Sequence, residues 1–160
     1  MKKHLFLTGE KGCGKSTRIK NILRENPELR IKGFLTLRTL NDDGSYSVHI
    51  LHAGTDEKPD SSNLLFYCGK DRMRLTEEES IERFNRLGSL ILSDTSEADV
   101  ILMDELGPHE EFATDFKMKV LELLDGDIPI LGVIQKAESA FLDTIKAHPK
   151  VKVEEIIKNF

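Results

Sequence analysis

Short unbroken apolar runs alternate along the chain with apolar residues spaced as one face of a helix. Leu5 to Leu7 is a short run that stops at Thr8 and Gly9, whereas Ile19, Ile22 and Leu23 recur at helical spacing. The pattern predicts a strand, a glycine-rich loop, and a helix that opens near Lys15 and ends near Asn26, because Pro27 disfavours helical geometry in the residue before it. Phe34 to Leu40 and Tyr46 to Leu51 read as the strands of a hairpin around the turn residues Asn41 to Ser45. Ala53 to Asn63 is polar and loop-like, Leu64 to Tyr67 is a further strand candidate, and Gly69 to Leu75 is a charged connector.

Thr76 with Glu79 three residues on fits a capping box, and Ile81, Phe84, Leu87 and Ile91 share one face of the helix expected from Glu77 to Ser93. Val100 to Met103 and Ile128 to Ile134 are uniformly apolar, as strands buried on both faces of a parallel sheet are. Between them Phe112, Phe116, Val120 and Leu123 repeat at helical spacing up to Asp125 and Gly126. Ser139 caps a last helix presenting Phe141, Leu142 and Ile145, after which Pro149 stops the helix and Val151 and Val153 begin a final strand. Strands alternating with helices predict a parallel-sheet α/β sandwich with one inserted hairpin, in a single domain over residues 1–160.

Composition narrows the class without naming the chemistry. Hydrophobic residues make up 39% and charged residues 32% of 160, which excludes a disordered or low-complexity chain. The formal net charge of -5 gives no footprint for a nucleic-acid backbone, so no nucleic-acid partner is expected. No apolar run approaches the roughly 20 residues that span a bilayer, and the start of the chain is far short of a signal peptide, so a cytoplasmic protein without a membrane partner is expected. Cys13 and Cys68 have no metal-ligand spacing and are expected to be reduced thiols.

The chemistry lies in two short segments. Gly9, Glu10, Lys11, Gly12, Cys13, Gly14, Lys15 and Ser16 match G-x-x-x-x-G-K-[ST] in full, after a predicted strand and at the opening of a helix. Such a loop folds its N–H groups into a nest around phosphate at the positive end of the helix. Lys15 would reach the β- and γ-phosphates of a nucleoside triphosphate, Ser16 would offer its hydroxyl to Mg2+, and Thr17 completes the nucleotide-binding stretch. Val100 to Met103 run straight into Asp104 and Glu105, and two carboxylates at the end of a buried strand are costly unless they serve a cation or a water. Asp104 is the expected Mg2+ ligand and Glu105 the expected base for an attacking water.

Adjacent acids of this kind mark phosphate-loop ATPases in which another strand lies between those carrying the two motifs, and Ile128 to Ile134 is the candidate strand. It ends in Gln135, read as a polar sensor of the γ-phosphate, with Lys136 beside it. Arg38, Arg72, Arg74 and Lys136 are candidates for a cation on the developing phosphate charge. His49, His52 and His109 show no ligand spacing and read as neutral histidines.

Asp104 through Glu110, together with the phosphate loop, resembles the cancer-related nucleoside-triphosphatase family. That family has an Asp-Glu-[Ile/Leu]-Gly-x-x-Glu segment and a Gly-Phe-x-Thr strand, here Gly33, Phe34, Leu35 and Thr36. The resemblance implies the P-loop NTPase three-layer sandwich, with a mostly parallel central sheet, helices on both faces and the inserted β-hairpin. It implies Mg2+-dependent hydrolysis of ATP, GTP and other nucleoside triphosphates with little base preference; Glu110, which recurs in the family segment, reads either as holding the loop behind Glu105 or as a helix N-terminal carboxylate with no catalytic role. The resemblance supplies no protein partner. The chain departs from the family pattern in its early Arg38, in Tyr46, Ser47, Val48 and His49 of the second hairpin strand, and in Gln135 and Lys136, where histidine or arginine is common. A small-molecule kinase using the same loop, and a nucleotide-controlled interaction module with slow hydrolysis, are the alternative functions.

Overall fold

The computed structural model describes residues 3–10, 14–42, 44–68, 76–107 and 112–157, apart from the side chains of Ser16 and Cys68. Seven strands form one sheet: β1 (His4–Thr8), β2 (Ile31–Leu40), β3 (Tyr46–His52), β4 (Leu64–Cys68), β5 (Val100–Leu106), β6 (Ile130–Ile134) and β7 (Val151–Glu155). Four α-helices accompany them, α1 (Lys15–Glu25), α2 (Glu77–Leu92), α3 (Thr114–Asp125) and α4 (Ala140–Ala147). The strand order is β4-β3-β2-β5-β6-β1-β7, and β3 pairs antiparallel with both its neighbours while the remaining pairs are parallel.

Alternation along the strands sorts the core into two layers. Phe6, Phe34, Ile101, Met103, Ile130 and Ile134 face one side, where they pack with Ile91 and Leu92 of α2, Phe116, Val120 and Leu124 of α3, and Phe141, Leu142 and Ile145 of α4. Leu7, Leu102, Leu131 and Val133 face the other, covered by Ile19, Ile22 and Leu23 of α1. Helices therefore lie on both faces, as expected of an α/β sandwich. Phe34, Phe84 and Phe116 meet edge to face at centroid distances of 6.4, 5.6 and 4.6 Å, and fix α2 and α3 against the middle of the sheet.

Several boundaries differ from the sequence pattern. The expected hairpin forms, and its first strand, β2, is also a parallel member of the central sheet beside β5. That strand begins at Ile31 and not at Phe34. Within it Gly33 has a φ of 106° and packs so closely on β5 that a Cβ there would lie 2.1 Å from the Leu102 carbonyl oxygen. The loop from Ala53 ends in a 3-10 turn at Ser61–Asn63 held by its own capping box. Strand β6 begins at Ile130, two residues after the expected start at Ile128. Phe112 precedes α3 and is 67% exposed, and the core face of that helix is completed by Leu124. The capping box at Thr76 and Glu79 and the cap by Ser139 on Leu142 form as the sequence predicts.

Candidate active site

Parallel pairing of β5, β6 and β1 brings their C-terminal ends to one edge of the sheet, with β6 between the strand that carries the acids and the strand that leads into the phosphate loop. This is the edge at which open α/β sheets place ligands. The strand predicted from Ile128 to Ile134 thus occupies the inserted position.

The described part of the loop has the conformation its glycines permit. Gly14 caps α1 with φ 98° in the left-handed region, no side chain caps the helix, and its first turn carries no acid, in contrast to Glu77, Glu78 and Glu79 in the first turn of α2. The first turn of α1 therefore brings no carboxylate of its own to the positive end of the helix. The Lys15 ammonium donates to the Gly9 carbonyl at 2.7 Å and the Glu10 carbonyl at 3.3 Å, so it arches back over its own loop. Thr17 is exposed on α1. Lys11, Gly12 and Cys13 lie outside the described residues, as do Arg72, Arg74, His109 and Glu110 and the Ser16 side chain.

Strand β5 continues through both acids to Leu106, beyond the expected end at Met103. Its ladder with β6 shifts register between Met103 and Leu106, and within that bulge Glu105 has φ 62°, a left-handed conformation that side chains other than glycine seldom adopt. The bulge turns the Glu105 side chain out to solvent while Asp104 stays half-buried. Burial is the largest influence on Asp104 and raises its pKa above the usual 3.8, with the charge of Glu105 acting in the same direction. The Thr36 backbone bond, its hydroxyl bond and the charge of Lys20 oppose the rise. Thr36 donates its N–H at 3.1 Å and its hydroxyl at 3.3 Å to Asp104 Oδ2. In sequence Thr36 stands out only within the Gly-Phe-x-Thr pattern, and nothing local points to this contact.

Gln135 and Lys136, at the end of β6, join the two segments. Gln135 Nε2 donates to Glu105 Oε1 at 3.1 Å, and its amide lies across Gly107, where a Cβ would come within 2.6 Å of it. Lys136 pairs with Glu10 of the phosphate loop at 3.2 Å and with Glu155 at the end of β7 at 3.0 Å, and these two carboxylates raise its pKa, the Glu155 bond most. Arg38 is engaged elsewhere, with its guanidinium 3.8 Å from the centroid of the Tyr46 ring. His49 is buried and bonded to Asn63 at 2.8 Å, while His52 is exposed and pairs with Glu57. Among the described residues no group of three or more His, Cys, Asp or Glu side chains is placed to hold a metal, and no helix is long and apolar enough to cross a membrane.

A mostly parallel sheet, a phosphate loop after β1 and acids at the end of β5 define a nucleoside-triphosphatase of the P-loop class. The profile of the NTPase family matches residues 4–159, and the chain belongs to that family. It is 27% identical over 136 residues to the nucleoside-triphosphatase THEP1 of Methanocaldococcus jannaschii, an alignment that covers 82% of this chain and 78% of that protein. It is 26% identical over 162 residues to the THEP1 of Natranaerobius thermophilus, covering 98% of this chain and 88% of the relative. The crystal structure of THEP1 from the hyperthermophile Aquifex aeolicus superposes with a TM-score of 0.72 over 96% of this chain and 89% of its own, at 22% identity, which shows the shared fold.

Proposed function

We propose that the chain hydrolyses nucleoside 5'-triphosphates, ATP and GTP among them, to the diphosphate and phosphate in a Mg2+-dependent reaction. The observation that carries this reading is the junction at the end of β6. Gln135 contacts the second acid at 3.1 Å and Lys136 contacts the phosphate loop at 3.2 Å, so loop and acids form one site. The named nucleoside-triphosphatase activity of the relatives supports the same reading.

In this reading the backbone from Gly9 to Gly14 and the start of α1 receive the phosphates, and Lys15 leaves the carbonyls of Gly9 and Glu10 for the β- and γ-phosphate oxygens. The donors fit Mg2+: a hydroxyl from Ser16 and a carboxylate from Asp104 are hard oxygens, and Asp104 is a half-buried acid whose ionised form gains from a cation. Bound Mg2+ would offset phosphate charge. Glu105 takes a proton from the water whose oxygen attacks the γ-phosphorus, and the β–γ bridging oxygen leaves with the diphosphate. Gln135 holds the Glu105 carboxylate in place for that transfer, a positioning part in addition to sensing the γ-phosphate.

The test is phosphate release from ATP and from GTP by the purified chain alone. Release that stops on chelation of Mg2+ is the expected result. Diphosphate formed without free phosphate, and only after a small-molecule acceptor is added, would identify a kinase and overturn the hydrolase reading.

A further inference from the structure

Strand β2 runs beside β5 in parallel register from Ile31 opposite Val100 to Phe34 opposite Met103, and the ladder ends there. Beyond that point β5 enters its bulge at Glu105, while β2 continues to Leu40 paired only with β3. Thr36 is the residue of β2 whose N–H then faces a departing neighbour. That N–H goes to the Asp104 side chain, and the Thr36 hydroxyl goes to the same oxygen, Oδ2. The carboxylate continues the ladder where the β5 backbone has left it. Two donors occupy Oδ2, and among the described residues Oδ1 has no hydrogen-bond partner. The close approach that allows this depends on Gly33, which leaves no room for a Cβ against Leu102.

We propose that Thr36 is a positioning residue for the metal of a bound metal–nucleotide complex, holding Asp104 by Oδ2 so that Oδ1 is presented as a single-oxygen ligand. This rests on the proposed metal role of Asp104. A carboxylate free to rotate would share its charge between orientations, whereas one fixed by two donors from a rigid strand offers one oxygen in one direction. Groups that orient a metal ligand through hydrogen bonds typically matter by 10- to 100-fold in metal affinity or activity. The backbone N–H of Thr36 survives any side-chain substitution, so the lower end of that range applies to the hydroxyl.

The experiment is titration of the full chain with Mn2+, read by electron paramagnetic resonance, in the presence of a non-hydrolysable triphosphate. Thr36→Val keeps the branched shape that suits a strand and removes only the hydroxyl, and Thr36→Ser restores it. Thr36→Val should weaken Mn2+ binding by about tenfold, Thr36→Ser should bind within a factor of about two of wild type, and metal-free nucleotide affinity should be unchanged in both. Mn2+ binding by Thr36→Val equal to wild type, while Asp104→Asn loses it, would overturn the proposal and leave Asp104 as the ligand. Equal weakening in Thr36→Val and Thr36→Ser, both folded by circular dichroism, would overturn it as well, because the hydroxyl would then not be the cause. If Asp104→Asn binds Mn2+ as wild type does, the metal role of Asp104 falls, and the part proposed for Thr36 falls with it.

Discussion

Where β1, β6 and β7 begin, His4 is 1% exposed and satisfied at both ring nitrogens: the Ile130 N–H donates to Nδ1 at 3.1 Å, and Nε2 donates to the Leu124 carbonyl at 2.9 Å. Around it Lys3 pairs with Asp127, His148 with Asp125, and Lys150 donates to the carbonyls of Asp125 and Gly126. Where β1, β5 and β6 finish, the condition is reversed. The Lys15 ammonium rests on its own loop, the Thr8 hydroxyl is buried with no partner among the described residues, Asp104 is a half-buried acid, and Glu105 holds a left-handed backbone. One end of the sheet is closed by polar groups that satisfy each other. The other keeps polar capacity and strain in reserve, and such features concentrate at functional sites.

The sharpest way to break this contrast is to remove one polar side chain at each end. Lys15→Ala should abolish tight triphosphate binding, a loss on the order of 3 to 5 kcal/mol, with the melting temperature of the nucleotide-free protein little changed. Calorimetric titration with a non-hydrolysable triphosphate checks it, and wild-type affinity would contradict the phosphate-loop assignment. His4→Ala should do the opposite. It leaves the Ile130 N–H and the Leu124 carbonyl buried and unmet, costs about 2 kcal/mol of stability at neutral pH, and leaves nucleotide affinity intact.

The same residue sets a pH dependence. Burial, the largest cause, holds the His4 imidazole below its ordinary 6.5, the charges of His148, Lys150 and Lys3 add to this, and the Leu124 bond opposes it. The unfolded chain therefore binds a proton before the folded one does. This contribution to stability is complete above about pH 6.5 and is lost as the pH falls below it. Urea unfolding between about pH 7 and pH 5 should show wild type losing stability faster than His4→Ala. Parallel curves would contradict the buried neutral imidazole.

Smaller effects sharpen the picture at the open end. Glu105→Gly should relieve the left-handed backbone and stabilise the chain by about 1 kcal/mol while removing hydrolysis, so that stability and activity move in opposite directions. A destabilised Glu105→Gly would show that the conformation carries no strain. Lys136→Ala should leave the melting temperature within about 2 °C of wild type, since its partners are exposed carboxylates, and a larger drop would make the ion pairs part of the fold.

What the sequence made legible follows the same division. The phosphate loop is contiguous, so Gly9 to Ser16 could be read directly, and the short apolar runs Leu5 to Leu7 and Val100 to Met103 marked β1 and β5, the second as a strand buried on both faces. The order that sets β6 between them followed from the adjacent acids. The holders of those acids were not legible, because Thr36 is 68 residues from Asp104 and Gln135 is 30 from Glu105, and only strand pairing makes them neighbours. The bulge escaped for a related reason: the apolar run stops at Met103, so nothing local marks β5 as continuing to Leu106 with a left-handed residue inside it. The early start of β2 at Ile31 was not legible either, since the contact that requires Gly33 is with Leu102 of a strand distant in sequence.

Glu105→Gln tests the proposed reaction most directly, because the amide keeps the shape of the side chain and an oxygen for the Gln135 N–H while it loses the base. Phosphate release and triphosphate affinity should be measured on this one variant. Turnover should fall by roughly 10² to 10⁴ while the Mg2+–triphosphate complex still binds as in wild type. Hydrolysis within a factor of about two of wild type, with the fold intact, would contradict general-base catalysis by Glu105.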